Sequence, residues 1–219
     1  FSLAVALATA LATARTGPVQ SPILGIGELG LSVRLDGVSA SMLVLVAFLG
    51  AIVLEYSRGY LDGDRRHGEF IGRLAATIAS VMLLVLSGNL FQLWATWVLT
   101  SLGLHRLLLF YGDRPGAVLA ARKKFIVARM GDLALAAAVL LIAVELGTAN
   151  VGLVLERARQ ALHAGSAPIG LHVAAGLLVA TAALKSAQFP THGWLAEVME
   201  TPTPVLRSEE HTSELQSPY

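Results

Sequence analysis

Long apolar runs separated by short polar or basic stretches dominate the chain, and five of them approach the roughly 20 residues a helix needs to cross a hydrocarbon core. They lie at 40–55, 74–90, 93–111, 125–146 and from 170 onward, after a shorter apolar run at 1–14. The stretch 74–111 is too long for one crossing, and Ser87-Gly88-Asn89 marks a tight turn between two helices. The pattern predicts an all-α fold, a polytopic transmembrane helix bundle of about six spans or partial spans whose last member is a broken helix.

Basic residues in the connections set the expected orientation, because Lys and Arg accumulate on the cytoplasmic side. Arg58, Arg65, Arg66 and Arg73 follow Tyr56, and Arg114, Arg122, Lys123 and Lys124 follow Tyr111. The alternate connections carry Arg15 and Arg34, none at the Ser87 turn, and Arg157 and Arg159, so eight basic residues face four. The two richer connections are expected inside, and the last helix is expected to run from the outer face toward the cytoplasm.

Composition strengthens the membrane reading. Of 219 residues, 55% are hydrophobic and 14% charged, and the mean hydropathy is +0.66, far above that of an ordinary soluble domain. With no cysteine in the chain, disulfides, thiolate metal sites and thiol nucleophiles are excluded. A net charge of +1 gives no electrostatic footprint for nucleic acid, so the expected surroundings are membrane lipid. The chain opens on Phe1 without a basic n-region, so the first run is not read as a signal peptide and the segment is expected to lie within a longer protein. Residues 1–206 read as a membrane domain. Residues 207–219, which begin Arg207-Ser208-Glu209-Glu210-His211, back-translate into a sequencing-adapter string and are expected to be a non-native, disordered tail.

One nucleotide-binding pattern is set aside. Gly25-Ile26-Gly27-Glu28-Leu29-Gly30 satisfies GxGxxG, but no βαβ unit surrounds it. A glycine-rich external turn or hairpin is expected there.

The residue with most chemical interest is Lys185. A charge at the bilayer centre costs about 2.5–3.5 kcal/mol on insertion scales, so an intramembrane lysine is first a functional residue. If 170–199 forms one crossing, Lys185 sits at its middle, and Pro190 breaks the helix near 186–189. A half-helix would then end at Lys185, its negative dipole end stabilising the ammonium beside a hydrated path. A lysine snorkelling from a shorter helix that ends at Gln188 fits equally well. His192 would relay protons toward the cytoplasm, although capping is the commoner use of such a histidine. His105 lies deeper than Arg106, which snorkelling explains, and is the better relay candidate. Arg129 and Asp132 stand three apart on one helix face and are expected to form a structural ion pair near the membrane surface. Trp94, Trp97 and Trp194 read as anchors or packing. No catalytic residues and no metal ligands are expected.

The segment KSAQFPTHGWLAEVMETPTPV, starting at Lys185, resembles the broken-helix signature of antiporter-like membrane subunits, the family of complex I subunit L and the large Mrp subunit. YSRGYLDGD from Tyr56, SGNLFQLW from Ser87 and KKFIVARMGD from Lys123 follow in that family's order. Within it, TSLGLHRLLLFYGDRPGAVLAARKKF from Thr100 and HGWLAEVMETPTPV from His192 are most similar to the DabB branch, the membrane subunits of energy-coupled inorganic-carbon transporters. Respiratory members typically read Trp-Glu where this chain reads Trp97-Val98, so the usual carboxylate partner of the broken-helix lysine is missing. The resemblance implies a non-enzymatic subunit of the bacterial inner membrane that conducts H+ or Na+, with Lys185 as its broken-helix lysine, and His192 and His105 are the relay candidates read from their own positions. It implies a DabA-like partner similar to a zinc β-carbonic anhydrase, with the zinc in the partner and no cofactor in this chain. The alternatives are a proton-pumping subunit L of NADH-quinone oxidoreductase or an Mrp-type antiporter subunit, and gene neighbours would separate them.

Overall fold

The computed structural model describes residues 2–60, 66–110 and 115–186. Seven helices follow one another among them: α1 (Ser2–Thr16), α2 (Gly37–Tyr60), α3 (His67–Val85), α4 (Leu90–Leu108), α5 (Pro115–Leu146), α6 (Val151–His163) and α7 (Ile169–Lys185). Four short strands, β1 (Val19–Gln20), β2 (Leu24–Ile26), β3 (Leu29–Leu31) and β4 (Arg34–Leu35), fill the connection between α1 and α2. Among the described residues three helices, covering 37–59, 67–85 and 121–146, are long and apolar enough to cross a membrane. The protein is an all-α, polytopic membrane bundle in which α1 packs on α2, α2 on α3, α3 on α4, α4 on α5 and α5 on α7.

Two departures from the sequence expectation matter. The connection 147–168 is not irregular: α6 is an amphipathic helix of 13 residues whose first turn is capped by Asn150, the side chain accepting from the Leu153 amide at 3.2 Å. At 1.5 Å per residue its length is about 20 Å, short of a crossing. The other departure is the start of α5, which begins at Pro115 rather than 125. Proline at the first helical position loses no hydrogen bond and pre-sets φ for the helix. Consequently Arg122, Lys123 and Lys124 belong to a helix and not to a loop, and Lys124 is only 7% exposed.

The glycine-rich stretch forms the expected hairpin. β2 and β3 pair antiparallel through Leu24–Leu31, Gly25–Gly30 and Ile26–Leu29, and Gly27 takes φ 60, a conformation only glycine adopts without strain. The turn presents Glu28. Its carboxylate accepts from the Ala149 amide at 2.8 Å and the Thr148 hydroxyl at 3.3 Å, while its carbonyl accepts from the Asn89 amide nitrogen at 2.7 Å. The hairpin thus stitches the α3–α4 turn to the α5–α6 connection, with backbone bonds from Leu90 to Ala149 (2.9 Å) and from Val151 to Gly88 (3.0 Å) closing the same face.

Helix spacing is set by small residues, as in other membrane bundles where hydrocarbon supplies no hydrophobic drive. A Cβ at Gly50 of α2 would lie 2.9 Å from Ile78 Cγ2 of α3, and one at Gly103 of α4 would lie 2.6 Å from Thr77 Oγ1 of α3. Both helices approach α3 closer than an alanine allows.

Candidate functional site

The inner face of α4 is polar. Gln92, Thr96, Thr100 and Ser101 are all buried, following one another at helical spacing. Their hydroxyls are held on the helix itself, Thr96 Oγ1 donating to the Gln92 carbonyl and Thr100 Oγ1 to that of Trp97, each at 2.8 Å.

Opposite this face, α5 buries Ala121, Lys124, Asp132, Leu135, Val139, Ile142 and Leu146. The steps between them are three, four or eight residues, which is one helical stripe. Lys124 and Asp132 therefore point the same way as the apolar residues after them. Lys124 Nζ donates to the Ser101 carbonyl of α4 at 3.2 Å. Ser101 is the twelfth of the 19 residues of α4, about 16 Å from its start and 10 Å from its end at 1.5 Å per residue. The ammonium is deep in the bundle.

Arg129 and Asp132 form the expected ion pair, Nη2 to Oδ2 at 2.7 Å. Its position differs from the expectation. Asp132 is about 21 Å from the end of α5 and 26 Å from its start by helical rise, and the carboxylate side chain is only 8% exposed. The indole N–H of Trp94 reaches over from α4 to the Asp132 carbonyl at 3.1 Å. The Arg129 guanidinium also covers the Phe125 ring at 5.0 Å. His105 packs on that same ring, centroids 4.8 Å apart, its Nδ1 buried without a hydrogen-bond partner among the described residues. Arg106 is exposed, in keeping with a snorkelling side chain.

Lys185 is the last residue of α7, and the Ser186 amide closes the helix on the Ala182 carbonyl. The residue as a whole is exposed, but its ammonium lies over the Trp97 ring, 4.1 Å from the centroid. A cation on an indole face is worth about 0.5–2 kcal/mol depending on desolvation. Helix α7 is anchored by Thr181, 2% exposed, whose hydroxyl donates to the Leu177 carbonyl at 2.9 Å and approaches the Gly131 carbonyl at 3.4 Å. A cavity of about 260 Å³ joins the three helices and α3: Thr77, Thr100, Ser101, Lys124, Leu184 and Lys185 are among its walls.

The geometry thus brings Lys185, Asp132, Arg129 and Trp97 together, with Lys124 and His105 adjoining. Pro190, His192, Trp194 and the 207–219 tail, together with the far side of the expected helix break, lie outside the described residues. Lys124 and Trp97 are the residues that sequence reasoning missed.

Comparison with known proteins shows the family. The family described as "NADH:quinone oxidoreductase/Mrp antiporter, TM" matches residues 87–206, which is more than half of the chain. The chain belongs to this antiporter-like family. A second match, "NADH-Ubiquinone oxidoreductase (complex I), chain 5 N-terminus", covers residues 24–71. Among family members, the probable inorganic carbon transporter subunit DabB2 of Halothiobacillus neapolitanus is 44% identical over 83% of this chain and 32% of its own length. The chloroplast NAD(P)H-quinone oxidoreductase subunit 5 of Zygnema circumcarinatum is 40% identical over 78% of this chain and 24% of its own. The chain therefore spans about a third or less of these relatives. The Mrp complex from Dietzia sp. DQ12-45-1b contains a chain that superposes with a TM-score of 0.71 at 25% identity, covering 90% of this chain and 36% of that one. The relatives bear the names of inorganic carbon transporter and quinone oxidoreductase subunits.

Proposed function

We propose that this chain is the ion-conducting part of a bacterial inner-membrane subunit that drives inorganic carbon uptake. The driving gradient is of H+ or Na+; Lys185 takes part by taking up and releasing a proton, and His105 and His192 relay that proton. A DabA-like partner, similar to a zinc β-carbonic anhydrase, converts CO2 and water into bicarbonate and a proton, and the ion gradient makes that hydration one-way. Residues 207–219 take no part.

The observation that carries the reading is the ammonium of Lys185 at a helix end, over the Trp97 ring. In this chain the residue after that tryptophan is Val98 and not a carboxylate, so the lysine lies over a π face on α4, and the nearby carboxylate Asp132 on α5 acts on it through its charge. The DabB2 relative at 44% identity supports the carbon-uptake branch.

The test is growth of a carbonic-anhydrase-deficient host at ambient CO2, expressing the full-length protein with its DabA-like partner. Lys185→Ala is expected to abolish rescue while the protein stays at its usual membrane level. Undiminished rescue by that variant would overturn the assignment of Lys185. Rescue that requires no partner, or a quinone-dependent activity in its place, would overturn the carbon-uptake reading.

A further inference from the structure

Lys124 has no role in the reading above, yet among the described residues it is a buried cation. Its residue is 7% exposed, against the open stem of Lys185. A lysine in a membrane interior is costly, and such residues pair with carboxylates, bind backbone carbonyls or serve a transport path. The described partner of Lys124 is a single carbonyl, that of Ser101, where an ammonium has three protons to donate. No carboxylate forms an ion pair with it among the described residues: the Asp132 carboxylate is engaged by Arg129 at 2.7 Å.

The placement of Lys124 is between two other candidates. It shares the walls of one cavity with Lys185, whose charge acts on it, and its own charge acts on His105. His105 stacks on Phe125, the residue next to Lys124. The cavity's 260 Å³ has room for several waters, each taking about 30 Å³ of liquid volume. Three cations, Lys124, Lys185 and Arg129, face one carboxylate, Asp132, and of those three only the lysines can hand a proton on, because a guanidinium keeps its own.

We propose that Lys124 is a second proton carrier, taking a proton from Lys185 across the cavity and passing it toward His105. The step is a proton exchange between amines: the Lys124 ammonium first releases H+ toward His105, the Lys185 ammonium then loses H+ through cavity water, the Lys124 amine gains it, and the total charge is unchanged. This rests on the proposed conducting role of Lys185. It places on α5 the group that receives the ion, where α4 offers Val98 instead of an acid.

A charge that merely holds the fold and a charge that releases its proton respond differently to arginine. Everted vesicles containing the full-length protein and its partner are given an imposed pH gradient, and proton entry is read with a pH-sensitive dye. Lys124→Met and Lys124→Arg are both expected to slow entry by about 100-fold, the usual contribution of a positioned proton-transfer group. Lys124→His is expected to keep measurable entry with a more acidic optimum, since imidazole titrates near 6.5. In that profile the other groups acting on position 124 are Lys185 on α7, Arg129 and Asp132 on α5, and His105 on α4. Wild-type entry in Lys124→Arg, or failure of every Lys124 variant to accumulate, assigns Lys124 to structure alone and overturns the proposal. Lys185→Ala, run beside them, separates the two ideas: fast entry in that variant removes the parent reading, whereas slow entry there with fast entry in Lys124→Met removes only the second carrier.

Discussion

Exchanging Asp132 for asparagine removes the carboxylate from the charge cluster while keeping the shape of the side chain. Arg129 Nη2 lies 2.7 Å from Asp132 Oδ2, with the two side chains 30% and 8% exposed. At an effective dielectric constant of 20, opposite charges about 4 Å apart attract by roughly 4 kcal/mol, and breaking a buried pair by deleting one partner costs about 3–5 kcal/mol. Arg129 keeps its stack on Phe125, which offsets about 1 kcal/mol of that loss. Lys124 and Lys185 also lose the carboxylate whose charge acts on them. Asp132→Asn is therefore expected to lower stability by about 3 kcal/mol. The measurement is a double-mutant cycle on the purified full-length protein in detergent, unfolded by denaturant titration, with Asp132→Asn, Arg129→Met and the pair. The double variant should recover roughly 2–3 kcal/mol relative to the sum of the singles. A coupling below about 0.5 kcal/mol would place the pair with solvated surface contacts and refute the deep placement argued above.

Two further outcomes are expected at the end of the bundle that carries the hairpin and the α3–α4 turn. Asn89, 0% exposed, caps α4 by accepting from the Phe91 amide at 2.7 Å and donates to the Glu28 carbonyl at 2.7 Å. Asn89→Ala should cost about 2–3 kcal/mol and Asn89→Ser, which keeps the cap and loses the cross-link, about half as much; equal costs in a melt would contradict the division. Asp36 caps α2, and its carboxyl is held below the ordinary 3.8 first by the Ser39 backbone amide and then by the Arg34 side chain, against an opposing effect of burial. Its charged form is the one favoured by folding, so its contribution is complete above that ordinary value and is lost as pH falls through the lower folded value. The deficit of Asp36→Ala, about 1 kcal/mol at neutral pH, should shrink below pH 4 in unfolding measured against pH; a deficit that grows there would reverse the sign.

Residues 40–55 and 125–146 announced membrane helices because apolar and small residues dominate them, with Glu55 at the end of the first and only Arg129, Asp132 and Glu145 charged in the second, and the Ser87-Gly88-Asn89 turn announced itself by chemistry that only a turn accommodates. The hairpin at Gly25 was legible for the same reason. Helix α6 was not, because its arginines and glutamate dilute any hydropathy window while its apolar residues recur at helical spacing. Lys124 was hidden by Arg122 and Lys123, whose exposure made a run of three bases look like a loop. The signal was nevertheless present: Lys124, Asp132, Leu135, Val139, Ile142 and Leu146 share one stripe, and extending the stripe backward from its apolar end would have turned Lys124 inward. The meeting of Lys185 with Trp97 had no local signal, since it depends on how α7 and α4 each lie against α5.

The two glycine contacts on α3 have a mechanical meaning. Ile78 is seated in a notch at Gly50 and Thr77 in a notch at Gly103, so α3 is gripped from both sides at adjacent residues. Thr77 also walls the cavity that holds Lys124. Any sideways swing of α4 that widens or narrows that cavity pushes on Thr77, and the rigid helix delivers the push one residue along to Ile78 and so to α2. Three rods interlocked in this way move as a unit or not at all, which makes α2, far from any ionisable group of the site, a lever on how freely the cavity breathes.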